Sequence, residues 1–239
     1  MKKLFITSLA VVAGFNLAAN AVVFTGTAIG SWNDRDKESN RSQSSIANSD
    51  VNGFATVSWG DPAYCGDKPS YLKFDGAGSD NPAVPPLWSS VNNPFLLGTL
   101  QYYNGVQWAN TGLDGVDLNM RVSIATPNPG FLSNFEFQLN INNTINPNGD
   151  TVQFLSVTDP LKNFSYGGLD YTFQVLGFSL NGGQTMSSQI FACERTSNSG
   201  GFYGRIVETG ATAVPDNGSA IILLGLAALG LVMFRAKFV

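Results

Sequence analysis

Three stretches of the chain alternate apolar and polar residues with period two, the pattern of a strand with one buried face. Val116, Leu118, Met120, Val122 and Ile124 share one face, and Asp117, Asn119, Arg121 and Ser123 the other. Phe135, Phe137, Leu139 and Ile141 alternate with Glu136, Gln138, Asn140 and Asn142, and Tyr171, Phe173 and Val175 make a third set. Shorter strands are predicted over 22–28, 54–59, 71–74, 95–103, 151–157, 189–193 and 203–208. About ten strands are too many for one flat sheet of this size, so the pattern predicts an all-β domain built as a two-sheet β-sandwich or jelly roll.

Asn52-Gly53, Asp75-Gly76, Asn104-Gly105, Asp114-Gly115, Asn148-Gly149 and Asn181-Gly182 punctuate these segments. Such pairs tolerate positive φ and are expected at hairpin or loop turns. The Ser- and Asn-rich stretch 34–50 is predicted as a mobile loop, and 76–94, which carries four prolines, as a second loop. No internal repeat is visible, and a long helix has no room between the ends.

The ends follow a different pattern. Met1-Lys2-Lys3 is a basic start, Leu4 to Leu17 is mainly apolar, and Ala19-Asn20-Ala21 fits an A-x-A cleavage site. This predicts a helical signal peptide over 1–21, handled by the secretion translocon and signal peptidase and cut after Ala21. The alternative is an uncleaved anchor, against which the short apolar stretch and the small residues at its exit both speak. At the other end, Val214-Pro215-Asp216-Asn217-Gly218 favours a turn, and an apolar run of 15 residues from Ala220 to Phe234 leads to Arg235 and Lys237. Extended by Gly218-Ser219 and by snorkelling basic side chains, this run just spans a bilayer as a helix, with the basic end cytoplasmic. The chain therefore divides into a signal peptide (1–21), a body (22–213) and a tail (214–239).

That tail resembles a PEP-CTERM-type sorting signal in its VPD-x-G variant, with Val214, Pro215, Asp216 and Gly218 as the motif. The resemblance implies a precursor inserted in the inner membrane. An exosortase-like enzyme would cut it near the proline-containing motif and pass the body to the cell surface or extracellular matrix. The motif departs from Val-Pro-Glu-Pro and the terminal basic cluster is thin, which leaves a permanent single-span anchor as the alternative.

Composition narrows the body's chemistry. Aromatic residues make up 12% of the chain and charged residues only 13%, with 26 glycines, a balance that favours strands and tight turns. The whole chain carries a net charge of −4. Without Lys2, Lys3, Arg235, Lys237 and Asp216, the body keeps nine basic against sixteen acidic residues. That surface repels phosphate backbones and has no Lys/Arg cluster, so nucleic acid and anionic lipid surfaces are disfavoured partners. Histidine is absent, which removes the commonest general base and metal ligand and excludes Ser-His and Cys-His nucleophile systems. Cys65 and Cys193 are expected to form one disulfide in the oxidising compartment that export implies, with two lone thiols as the alternative.

The order of segments in the body resembles the choice-of-anchor K domain. The resemblance is carried by Trp59-Gly60-Asp61-Pro62, Ser70 to Gly76, Phe95 to Leu100 with Asn104-Gly105, and Val116-Asp117-Leu118. It continues through Phe135 to Ile141, Tyr171 to Phe178, Glu194 with Ser197-Asn198, and Gly204-Arg205-Ile206. It spans roughly residues 30–207 and implies a surface location rather than a reaction.

Candidate sites within the body are sparse. A glycosidase would need two carboxylates ~5–9.5 Å apart, and nothing in the sequence pairs Glu136, Glu194 and Glu208. Asn146, Asn148 and Asp150 present oxygens at every second residue beside Gly149, a weak calcium candidate for which an Asn-rich turn capping its own backbone is the simpler reading. Trp32, Trp88, Trp108, Tyr102 and Tyr103 would stack on sugar rings if exposed together, whereas sandwich cores also use aromatics, and Trp59 is expected in the core. The expectation is a non-enzymatic, exported structural or interaction protein of the cell surface or exopolysaccharide matrix, with no catalytic residues, cofactor or metal. The alternative is a carbohydrate-binding module for extracellular polysaccharide, and an enzyme ranks third.

Overall fold

The alternating segments fold as antiparallel strands that turn their apolar residues to one side, as the period-two pattern requires. In the computed structural model, residues 22–34, 45–48, 54–78, 87–88, 91–144 and 148–211 are described. They form two curled antiparallel sheets, and no helix is present among them.

The six-stranded sheet runs in the order β12 (Gln189–Ala192), β9 (Asp150–Val157), β8 (Leu132–Asn142), β7 (Gly115–Thr126), β1 (Phe24–Asp34) and β5 (Leu87–Trp88). The seven-stranded sheet runs β10 (Leu161–Tyr166), β11 (Leu169–Ser179), β13 (Thr196–Ala211), β6 (Phe95–Asn104), β4 (Ser70–Gly76), β3 (Phe54–Trp59) and β2 (Ser45–Asn48). Register follows the hydrophobic pattern. Leu118 sits opposite Phe137 and Met120 opposite Phe135, so the apolar sets of β7 and β8 form one face.

The two inner faces share a single core, which makes the body a β-sandwich. Phe202 on β13 lies at its centre. Its ring meets Phe74 and Phe178 of its own sheet at 6.0 and 5.5 Å, and Phe137 and Phe154 of the opposite sheet at 4.6 and 5.6 Å. The sheets curl together along one side, where the Ala28 N–H of β1 donates to the Ala77 carbonyl at 2.9 Å.

That approach explains Gly76, which the Asp-Gly pattern placed in a turn. Gly76 ends β4, and a Cβ there would collide with the Ala28 carbonyl oxygen. Gly105 is likewise buried at a close contact, and Gly115 opens β7, so Asn104-Gly105 and Asp114-Gly115 are not hairpin turns either. Gly149 and Gly182 do take positive φ, 72° and 74°, as expected of turn glycines. Asn52-Gly53 lies outside the described residues.

Three strands were not predicted. β10 is an edge strand with mostly exposed side chains, β2 lies within the stretch expected to be a loop, and β5 lies within the proline-bearing segment. The predicted signal peptide with Ala19 and Ala21, and the tail with its apolar run, lie outside the described residues.

Candidate functional site

Polar side chains gather at the end of the sandwich where β6 stops and β9 starts. Tyr102 and Asn104 occupy successive inward positions of β6 and are fully buried. Asp150 opens β9 directly opposite Ala192, the last residue of β12, and is only 3% exposed. The chain then turns through Cys193-Glu194-Arg195 into β13, whose Thr196 pairs back with Asn104.

Several hydrogen bonds tie this turn to β6. The Arg195 N–H donates to the Asn104 carbonyl at 2.7 Å, and Asn104 Nδ2 donates to the Ala192 carbonyl at 3.1 Å. Thr196 closes the turn by donating to the Cys193 carbonyl from its backbone N–H at 3.1 Å and from Oγ1 at 2.8 Å. Arg195 takes a left-handed φ of 58° to permit this. Gly149 packs so tightly beneath the turn that a Cβ would lie 2.7 Å from the Ala192 carbonyl oxygen and 2.9 Å from the Cys193 Cα.

Hydrogen bonding in the cluster is incomplete. Asp150 Oδ1 accepts from the Thr144 N–H at 2.6 Å and from Thr144 Oγ1 at 3.1 Å. Asn104 Oδ1, Glu194 Oε2 and the Tyr102 hydroxyl are buried without a hydrogen-bond partner. Burial raises the pKa of Asp150 despite the Thr144 bonds. Glu194 is raised first by burial and then by the negative charge of Asp150, against the opposing pull of Arg195 and the Asn104 amide. Tyr102 is pushed far above the ordinary phenol range by burial, with the Asp150 and Glu194 charges adding to it.

The outer side of the same corner is aromatic and accessible. Arg195 binds Asp67 bidentately, at 3.0 and 3.1 Å, while its guanidinium lies 5.4 Å from the Tyr64 ring centroid. Tyr103, opposite Ser197 of β13, stacks on Tyr71 of β4 with centroids 5.2 Å apart and planes 15° apart. Tyr64 is 63% exposed and Trp108 62%.

Sequence-predicted residues divide accordingly. Trp32, Trp59 and Tyr102 are core residues, Trp88 belongs to β5, and Trp108 and Tyr103 of the proposed sugar-stacking set face outward. Glu136 and Glu208 lie on strands of different sheets, and the carboxylate beside Glu194 is Asp150. Asn148 is exposed while Asp150 turns inward to Thr144, and Asn146 lies outside the described residues. No group of three or more His, Cys, Asp or Glu side chains suited to a metal occurs among the described residues.

The expected disulfide is not formed in the structure, where Cys65 and Cys193 are free, exposed thiols. Each lies in a surface turn, and the Asp67–Arg195 ion pair joins the two turns in place of a covalent bond.

Asn104 was read as a turn residue and missed as a site residue. The signal was available, because the inward series Leu100, Tyr102 continues by two to Asn104 and puts a polar side chain on the buried face.

Against known protein families, residues 213–238 match the VPDSG-CTERM motif. The span holds Val214, Pro215, Asp216 and Gly218, with Asn217 where the motif has serine, and lies outside the described residues. The match supports a PEP-CTERM-type sorting signal, which points to an exported cell-surface protein processed by an exosortase-like enzyme. No curated protein matches the chain.

Proposed function

We propose that the protein is a structural or interaction component of the cell surface or exopolysaccharide matrix, displayed as a β-sandwich of the choice-of-anchor K kind. Its signal peptide (1–21) is removed, residues 220–234 hold the precursor in the inner membrane, and an exosortase-like enzyme cuts near Pro215. The VPDSG-CTERM match over 213–238 carries this reading. The segment order of the body and the A-x-A site at Ala19 and Ala21 support it. The reading assigns it no catalytic role, since Asp150, one of the two neighbouring carboxylates, is buried at the start of β9.

Mass spectrometry of the mature termini tests the processing. Material from the surface fraction is expected to begin at Val22 and end close to Pro215. Recovery of chains ending at Val239 from that fraction would refute cleavage and leave a permanent anchor.

A second reading, a carbohydrate-binding surface, is favoured by the accessible aromatics: the Tyr71–Tyr103 stack, Tyr64 under Arg195, and Trp108. Faces of this kind suit pyranose rings, with the Asp67–Arg195 pair beside them for hydroxyl groups. Affinity electrophoresis in the producing cell's exopolysaccharide distinguishes the two. If Tyr103 stacks on sugar, Tyr103→Ala loses about 1 kcal/mol, roughly fivefold in affinity. Unretarded migration of the wild-type protein would end this reading.

A further inference from the structure

The buried end of the sandwich has an imbalance of hydrogen-bonding groups. Glu194 Oε2 and Asn104 Oδ1 can only accept and have no hydrogen-bond partner, although the Asn104 amide lies close enough to the Glu194 carboxylate to favour its ionised form. Asp150 brings a second carboxylate to the same cluster, since it lies opposite Ala192, whose carbonyl holds the Asn104 amide. The nearby cation, Arg195, directs its guanidinium outward and binds Asp67 with two nitrogens. The Tyr102 hydroxyl, buried at the adjacent inward position of β6, also lacks a partner. Protein interiors rarely leave so many polar atoms unpaired in one place, and carboxylates in such a setting either hold a proton or gain a cation as counter-charge.

We infer that Asp150 and Glu194, with Asn104 Oδ1 and the Tyr102 hydroxyl, form a binding site for a hard divalent cation of calcium type, which fastens the β12–β13 turn to β6 and β9. All four donors are oxygens, which excludes a soft metal and suits calcium. Calcium takes about six to eight oxygens in irregular geometry, so backbone carbonyls and water complete the shell, whereas magnesium demands a stricter octahedron. Two carboxylates in the set match the weak, roughly millimolar affinities of extracellular calcium modules. The site differs from an Asn146–Asn148–Asp150 loop cage, because Asp150 faces the interior and Asn148 is exposed.

The test uses the full chain in non-ionic detergent, stripped with EGTA. Calcium added to about 100-fold above its dissociation constant is expected to raise Tm by roughly 5–10 °C. Terbium, excited through Tyr102 and its stacked neighbour Trp59 (centroids 6.2 Å apart), is expected to give sensitised emission that calcium displaces. Glu194→Gln, a near-isosteric change at a turn, is expected to abolish both responses. Asp150→Asn should do the same, although the loss of its bonds to Thr144 makes Glu194→Gln the decisive variant. The inference is overturned if neither calcium nor terbium gives a response in the wild-type chain. It is equally overturned if both responses survive undiminished in Glu194→Gln, which would place the ion elsewhere.

Discussion

Replacing Phe202 with alanine removes the ring at which the two sheets meet. Phe202 is 1% exposed and is ringed by Phe74 and Phe178 on one side and Phe137 and Phe154 on the other. The neighbours belong to paired strands and can close only part of the void, so the cost combines the lost transfer energy with a cavity term. For a ring buried this completely, that sum is about 3–5 kcal/mol. A domain of this size loses roughly 2–4 °C per kcal/mol, so Tm should fall by about 6–20 °C. Phe202→Leu keeps most of the volume and should cost less than about 1.5 kcal/mol. Thermal unfolding and urea titration of the purified protein measure both variants, with an unchanged urea slope showing that stability alone has shifted. A fall of less than about 1 kcal/mol in Phe202→Ala would mean that the sheets do not share a core at this point, and would refute the packing argument.

Two further outcomes follow from the same corner of the fold. In EGTA, the raised pKa values of Asp150 and Glu194 mean that the folded state holds these protons more tightly than the unfolded chain. Their contribution is therefore fully present below the ordinary carboxylate range and is lost as pH rises through the raised values, so Tm should decline from acidic pH toward neutral. A Tm that climbs steadily over that interval, or a decline unchanged in Glu194→Gln, would contradict the assignment. Maleimide labelling of the native, unreduced chain should add two groups, one each at the exposed Cys65 and Cys193. An intact mass two hydrogens lighter and resistant to label would show that the two turns move together and pair.

The sandwich was legible where one face of a strand is buried and the other solvated. β7 and β8 alternate so regularly that their inward residues were named correctly from the pattern alone, as were Tyr171, Phe173 and Val175 on β11 before its bulge. β10 was not, because its edge position leaves most side chains exposed and gives no apolar series to detect. The glycine pairs misled for a related reason. An Asp-Gly or Asn-Gly pair marks a turn only if glycine is needed for positive φ, and at Gly76 it is needed for room beside Ala28.

Local pattern and composition determined what local physics can: strand faces, an all-β body, the absence of histidine, and the C-terminal sorting motif. Such features depend on neighbours within a few residues or on counts along the chain. The grouping of Tyr102, Asn104, Asp150 and Glu194 was decided only by tertiary structure. These residues come from three separated segments, and they meet because β13 pairs back with β6 while β12 joins β9 in the opposite sheet. The joining of the turns that carry Cys65 and Cys193 by Asp67 and Arg195 belongs to the same level, since it depends on loop geometry that no spacing along the chain encodes.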